Sequence, residues 1–315
     1  MTAPLLLHVH PSQWPAATRT RLEAALRAHT LPARFLYDSP AQAARWLAYH
    51  AAWSPSRTEA ELLDLYDQAF EAALSAVAHA APTYLSLGTG GGRKDARFRS
   101  RAHAAGRAPE LVLTDTSPAL VMEAMQLSPG ARGWVVDLEA EPSRESLDLP
   151  DAPLIVSAFG MVPNLDAHAF TTWMRGLLRP GDLALVSANL HPDPWPEAGP
   201  DILPQYDNPP ARAWYAGALA ELGLSEASLE IRGRALDSSK ESWRVEVDAV
   251  ASAAVVARAF DVELPLESGE RFSVFFSNRF TPAAFERLVT EVGFAVRERY
   301  IFEGAQEGIW LLAPE

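Results

Sequence analysis

The 315-residue chain contains no cysteine, which removes disulfides, thiolate metal sites and cysteine nucleophiles and suits a reducing compartment. It is also poor in positive charge. Lys and Arg number 27 against 40 Asp and Glu, and the formal net charge of −13 leaves no basic field to neutralise a nucleic-acid backbone. No apolar run is long enough to span a bilayer, and residues 1–7 lack the basic start and extended apolar stretch of a signal peptide. A cytoplasmic protein with neither nucleic acid nor membrane as partner is therefore expected. Two enzyme classes are missing their motifs as well. There is no G-x-S-x-G elbow for a serine hydrolase, and Lys94 lies between Arg93 and Asp95, where a P-loop needs Gly before and Ser or Thr after. His8-Val9-His10 has the period-two spacing of two imidazoles on one strand face, but with no third ligand identifiable no metal is expected.

What is present is an apolar run, Tyr84-Leu85-Ser86-Leu87, entering the glycine-rich Gly88-Thr89-Gly90-Gly91-Gly92. A dinucleotide loop of the G-x-G-x-x-G type needs its third glycine where helix and strand pack closely, and counting from Gly88 that place holds Arg93. This disfavours NAD. The following strand, Leu111-Val112-Leu113-Thr114-Asp115, delivers a carboxylate at about the offset where a ribose hydroxyl pair needs an acceptor. Glycine loop and strand-end acid together point to S-adenosylmethionine, which carries an adenosine but no pyrophosphate. A purely structural tight turn would use the same glycines.

Helical periodicity marks 13–28 and, more strongly, 59–78, where Leu62, Tyr66, Ala69, Phe70 and Ala73 form an apolar stripe leading to the glycine loop. Beyond it, strand runs at 111–113, 133–136, 153–157 and 182–188 alternate with helical stretches at 118–125 and 167–178, the rhythm of βαβ units around a parallel sheet. Between 191 and 210 stand seven prolines, too many to continue a helix or central strand, so this stretch reads as a crossing to another domain. A helix is predicted over 212–222, antiparallel strands over 242–250, 254–261 and 272–278, a helix over 282–292 stopped by Gly293, and a terminal strand pair over 294–302 and 308–312. The expected fold class is thus α/β, a Rossmann-like sheet closed by a terminal hairpin, which resembles the layout of class I methyltransferases.

Several colinear segments, Arg34-Phe35-Leu36-Tyr37-Asp38, Pro55-Ser56-Arg57-Thr58-Glu59, Leu87-Gly88-Thr89-Gly90, Gly160-Met161-Val162-Pro163-Asn164-Leu165, Leu178-Arg179-Pro180-Gly181-Asp182, Gln205-Tyr206-Asp207 and Ser277-Asn278-Arg279-Phe280, together resemble the histidine-specific, S-adenosylmethionine-dependent methyltransferases of ergothioneine biosynthesis. The resemblance implies discontinuous domains, 61–190 with 281–315 for the cofactor and 1–60 with 191–280, an α+β unit, for the substrate. It implies Gly88, Thr89 and Gly90 beside the methionine part of the cofactor, Asp115 on the ribose, and Asp137 with Leu138 at the adenine. It implies that Asn164 and Tyr206 hold the α-carboxylate of an amino-acid substrate, both being donors without a second strong charge. Ordinary structural roles serve these residues too: a solvated loop acid for Asp137, a helix-capping amide for Asn164, a packed ring for Tyr206.

The chain departs from that family at the substrate's side chain. Where the family carries a Glu that helps bind the imidazole, two residues before the retained Ser277, this chain has Phe275. Val247 likewise replaces a bulkier Met. An imidazole N–H without its carboxylate would face a penalty of about 1–3 kcal/mol, one or two decades of affinity. An apolar, aromatic or bulky acceptor is expected instead of histidine, unless Phe275 belongs to the core with Phe272, Phe276 and Phe280. The expected chemistry is in-line methyl transfer to a neutral amine, with Tyr37, Tyr206 or a water taking the proton. Alternatives are another nucleophile (side-chain or ring nitrogen, carbon or oxygen) or a non-catalytic cofactor-binding protein.

Overall fold

The computed structural model describes residues 5–77, 79–191, 199–239, 242–302 and 306–315. Its centre is an eight-stranded sheet whose inner strands are built from largely apolar runs. The strands are β1 (Leu7–Val9), β2 (Thr83–Leu87), β3 (Glu110–Asp115), β4 (Arg132–Val135), β5 (Leu154–Ala158) and β6 (Leu183–Asn189), with β13 (Glu307–Pro314) and β12 (Phe294–Ile301) named here out of chain order because they close the same sheet. The order is β1-β4-β3-β2-β5-β6-β13-β12, parallel from β1 to β6 and antiparallel at the last two strands. The sequence predicts strands β2 to β6 and the closing hairpin, but not β1. The expected glycine-containing hairpin turn, 303–305, lies outside the described residues.

Strands covered on both faces lose the alternation of polar and apolar residues, and here each face feeds a separate core. Tyr84, Leu111, Leu113, Leu185 and Ile309 meet α4 (Ala60–Ala76), α5 (Arg93–Ala104) and α6 (Pro118–Leu127) through Tyr66, Phe70, Phe98 and Val121. Leu85, Val112, Val156, Val186 and Trp310 meet α7 (Ala167–Leu177) and α10 (Pro282–Glu291) through Phe170, Met174, Phe285 and Val289. Helix starts are set locally. Ser117, Asp166 and Thr281 accept from the backbone of Leu120, Ala169 and Ala284, caps worth about 1 kcal/mol each.

The remaining elements surround a third core. They are α1 (Pro15–Arg27), α2 (Pro40–Trp53), α3 (Pro55–Thr58), α8 (Gly199–Tyr206), α9 (Pro209–Glu221), and the strands β7 (Leu229–Ser239), β8 (Ser242–Ala251), β9 (Val255–Ala259), β10 (Val262–Leu266) and β11 (Arg271–Phe280). The order β11-β8-β7 makes an antiparallel sheet, and β9 with β10 a separate hairpin. Two features of the chain differ from expectation. The proline-rich crossing lies in part outside the described residues, yet its end is helical: α8 carries Pro204 inside it, and Pro209 opens α9, where a missing N–H costs nothing. Residues 7–9, placed with the substrate segments by the expected division, pair with β4 at the edge of the large sheet. His8 stacks on Trp134 at 4.6 Å and His10 accepts from the Ser12 backbone. Among the described residues no group of three or more His, Cys, Asp or Glu is placed to hold a metal ion, and no helix is long and apolar enough to cross a membrane.

Candidate functional site

The strand order reverses between β2 and β5, and their loops diverge to leave a crevice at the carboxyl edge of the sheet, the usual ligand position in such folds. A cavity of about 760 Å³ opens there and continues under the third core. The glycine loop lines this cavity, with neighbouring side chains packed so closely on the glycines that a Cβ would not fit. At Gly88 (φ +74°) a Cβ would stand 2.2 Å from Met161 Sδ, and at Gly90 (φ +55°) 2.9 Å from the Trp46 ring. Gly92 supplies the close packing that the sequence reading found missing at Arg93. Its φ is +76° and a Cβ would lie 2.5 Å from Ala124 Cα of α6, so helix meets helix one residue earlier than the dinucleotide pattern places it.

Asp115 closes the loop from β3. Its Oδ2 accepts from Gly90 N at 3.0 Å and its Oδ1 from Ser117 N at 2.9 Å, and the residue lines the cavity. Burial raises its pKa to about 6, against the pull of those backbone donors. Asp137 and Leu138 line the same cavity, but the Asp137 carboxylate is already engaged. It pairs with Arg21, lies 3.8 Å from Arg34, and caps the turn at Leu138–Ala140 by accepting from Glu139 N. Thr89 is spent on Asp95, to which its hydroxyl donates.

Beyond the loop the wall becomes aromatic. Tyr37 stands 5.8 Å from Trp46 and 5.3 Å from Trp214, Tyr49 stacks on Trp214 at 5.6 Å, and Phe275 meets Trp214 at 5.6 Å and Tyr206 at 6.2 Å. Burial, aided by the Asp115 charge, pushes the Tyr37 phenol far above its ordinary pKa, so it stays protonated. At the far end Tyr206 donates to Ser277 Oγ (3.1 Å), which also accepts from Asn189 Nδ2 (3.1 Å). Asn164 donates one Nδ2 hydrogen to Gly160 O at 3.0 Å, and its buried Oδ1 has no partner among the described residues.

Eleven of the twelve expected site residues line this one cavity. Val247 does not: it is 0% exposed, pairs with Phe275 across the β8–β11 ladder, and supports the wall from within the core. Phe275 combines the two roles left open for it, packing on that core while facing the cavity.

Sequence reading missed Trp46, Tyr49 and Trp214, which stand on helices whose ring spacing looks like ordinary core. It also missed a polar group beside the loop. Lys94 Nζ lies 2.7 Å from Tyr66 Oη and 3.6 Å from Glu307, and burial lowers its pKa. His50 stacks on Trp46 at 4.7 Å and accepts from Arg57 Nε at Nδ1. Burial lowers its pKa to about 3, so it is neutral at physiological pH and offers Nε2–H.

No protein-family model matches the sequence, and no curated protein matches it. Solved structures do. The CMeT domain of citrinin polyketide synthase superposes with a TM-score of 0.50 at 14% identity, over 87% of this chain and 57% of that one. The 1,6-didemethyltoxoflavin-N1-methyltransferase of Burkholderia thailandensis, solved with S-adenosylhomocysteine, gives 0.44 at 12% identity over 87% and 88%. An S-adenosylmethionine-dependent methyltransferase from Clostridium acetobutylicum gives 0.43 at 8% over 85% and 98%. At such identities the likeness concerns the fold, and the fold of this chain is the Rossmann-like sheet of class I methyltransferases.

Proposed function

We propose that the chain is an S-adenosylmethionine-dependent methyltransferase acting on the amine of an amino acid or amino-acid-like small molecule with an aromatic or bulky side chain. On this reading it is allied to the histidine-specific methyltransferases it resembles but altered in its acceptor. The observation that carries the reading is the continuity of one cavity from the Gly88 loop and Asp115 to an aromatic compartment ending in Tyr206 and Ser277.

The residues present fit the cofactor. Gly88 and Gly90 bring backbone without a Cβ to the cavity, Asp115 keeps acceptor capacity after its backbone bonds, and Lys94, paired with Glu307, stands beside the loop. S-adenosylmethionine supplies an electrophilic methyl on a leaving group that is already cationic, so no strong acid is needed. The chain's own work is orientation, which can contribute about 7–11 kcal/mol. Asn164 suits the carboxylate of an α-amino acid, its second Nδ2 hydrogen being left to donate. Tyr206, whose one hydrogen goes to Ser277 Oγ, supports the carboxylate through that hydroxyl. Tyr37, held protonated, orients the acceptor as a donor, which removes it as the proton acceptor. The aromatic wall disfavours an ammonium ion's hydration and so favours the neutral, nucleophilic amine.

Incubation with S-adenosylmethionine and a panel of amino acids and amines, read by mass spectrometry, tests the reading. Methylated aromatic or bulky amino acids with matching S-adenosylhomocysteine are expected. Transfer to histidine in preference to all of them would overturn the specificity, and transfer only to carbon or oxygen would overturn the nucleophile.

A further inference from the structure

Two arginines are buried among the described residues, Arg34 at 4% exposure and Arg279 at 2%. Arg34 faces two carboxylates, Asp38 at 3.4 Å and Asp137 at 3.8 Å. Arg279 lies within salt-bridge reach of no carboxylate among the described residues, in a protein with 40 of them. Its donors go to neutral groups: Nη1 to Leu190 O at 2.7 Å, and Nη2 to Gln205 Oε1 at 2.8 Å and to Tyr206 Oη at 3.3 Å. Its Nε has no partner among the described residues. A buried cation left without a counter-ion is costly, and such charges are retained where something else supplies the negative charge.

The hydrogen bonds around Arg279 run in one direction. Arg279 donates to Tyr206, Tyr206 donates to Ser277 Oγ, and Asn189 donates to the same oxygen. Both lone pairs of Ser277 are thereby used, and its hydroxyl hydrogen is the donor left for the cavity that Arg279, Tyr206, Asn189 and Ser277 all border. A string of donors that begins at a cation and ends on a free O–H is completed by an anion.

We infer that Arg279 is the counter-charge for the acceptor's carboxylate, a positioning residue that acts through Tyr206 and Ser277 and selects carboxylated amines over amines lacking the group. This rests on the amino-acid reading above and adds what enforces it. The guanidinium stands behind the wall, fixes the Tyr206 hydroxyl with a direct bond, and contributes its field to the compartment.

The test is a comparison of methyl transfer to L-amino acids and to their decarboxylated amines, L-tryptophan against tryptamine and L-phenylalanine against phenethylamine among them. The native protein is expected to favour the amino acid by about a hundredfold in kcat/KM, carried mostly by KM. In Arg279→Gln the preference falls to within about tenfold, while calorimetric affinity for S-adenosylhomocysteine is kept; Arg279→Lys restores it. Ser277→Ala, which leaves the charge in place, lowers the preference several-fold by the loss of one donor, about 1 kcal/mol. A preference unmoved in both Arg279→Gln and Ser277→Ala overturns the inference and leaves amine methylation standing. Absence of transfer to every amino acid and amine removes the reading beneath it, and this inference with it.

Discussion

The two halves of the cavity are built from different materials. At the glycine loop the contacts are backbone: positive-φ glycines, main-chain donors and one carboxylate, all fixed by strands buried on both faces. In the aromatic compartment the contacts are side chains, contributed by α2, α8, α9 and β11 and resting on one another. A backbone-built half tolerates little change and accepts one kind of ligand, whereas a half made of side chains is retuned by single substitutions. The fold thus allows a cofactor to be kept while the acceptor changes.

The largest expected effect breaks the first half alone. Asp115→Ala removes the acceptor of two hydroxyl donors to a charged group and should weaken S-adenosylmethionine by about 3 kcal/mol or more, over two decades by calorimetry. The melting temperature should fall as well, since the backbone N–H groups of Gly90 and Ser117 lose their acceptor. Gly92→Ala breaks both halves at once. A Cβ at φ +76° and 2.5 Å from Ala124 Cα should cost about 2–3 kcal/mol of stability, read by denaturant unfolding.

Phe275→Glu retunes the second half only. A carboxylate in that wall should raise the rate with imidazole-bearing histidine relative to aromatic acceptors by about tenfold or more, with cofactor affinity unchanged. The pH dependence separates the halves by titration. As pH falls through about 6 Asp115 takes up a proton, and affinity for S-adenosylhomocysteine should fall several-fold. The stability contribution of this group has the opposite sign. Its folded pKa lies above the usual carboxylate value, so that contribution is fully present below the unfolded pKa and is lost as pH rises through about 6, and lost affinity in mild acid is not unfolding at this group. In Asp115→Asn the acid limb should vanish. The smallest change is expected for Val247→Met, which overfills the core behind Phe275 at about 1–3 kcal/mol of stability and moves acceptor preference less than Phe275→Glu does.

Legibility followed the same division. The sheet, the Gly88 loop and Asp115 were readable because uninterrupted apolar runs and glycines state their roles locally. In the compartment Tyr37, Tyr206, Phe275 and Ser277 were readable only through the family resemblance, and Trp46 and Tyr49 were not, because α2 is rich in alanine and buries a glutamine, Gln42, against the Trp214 backbone, so its periodicity carries little contrast. In α8 prolines signal a break that the helix absorbs within eight residues, and it is this helix that carries Tyr206. Asp137 looked free in sequence, yet Arg21 and Arg34 arrive from more than a hundred residues away. Arg279 had only its place in a colinear segment; what distinguishes it is the absence of a carboxylate beside it in space.

Isothermal titration of the native chain and of Asp115→Ala with S-adenosylmethionine addresses the central claim most directly. The account predicts one site per chain with micromolar affinity, reduced more than a hundredfold in the variant. No heat at millimolar ligand, or equal affinity in both proteins, would contradict it.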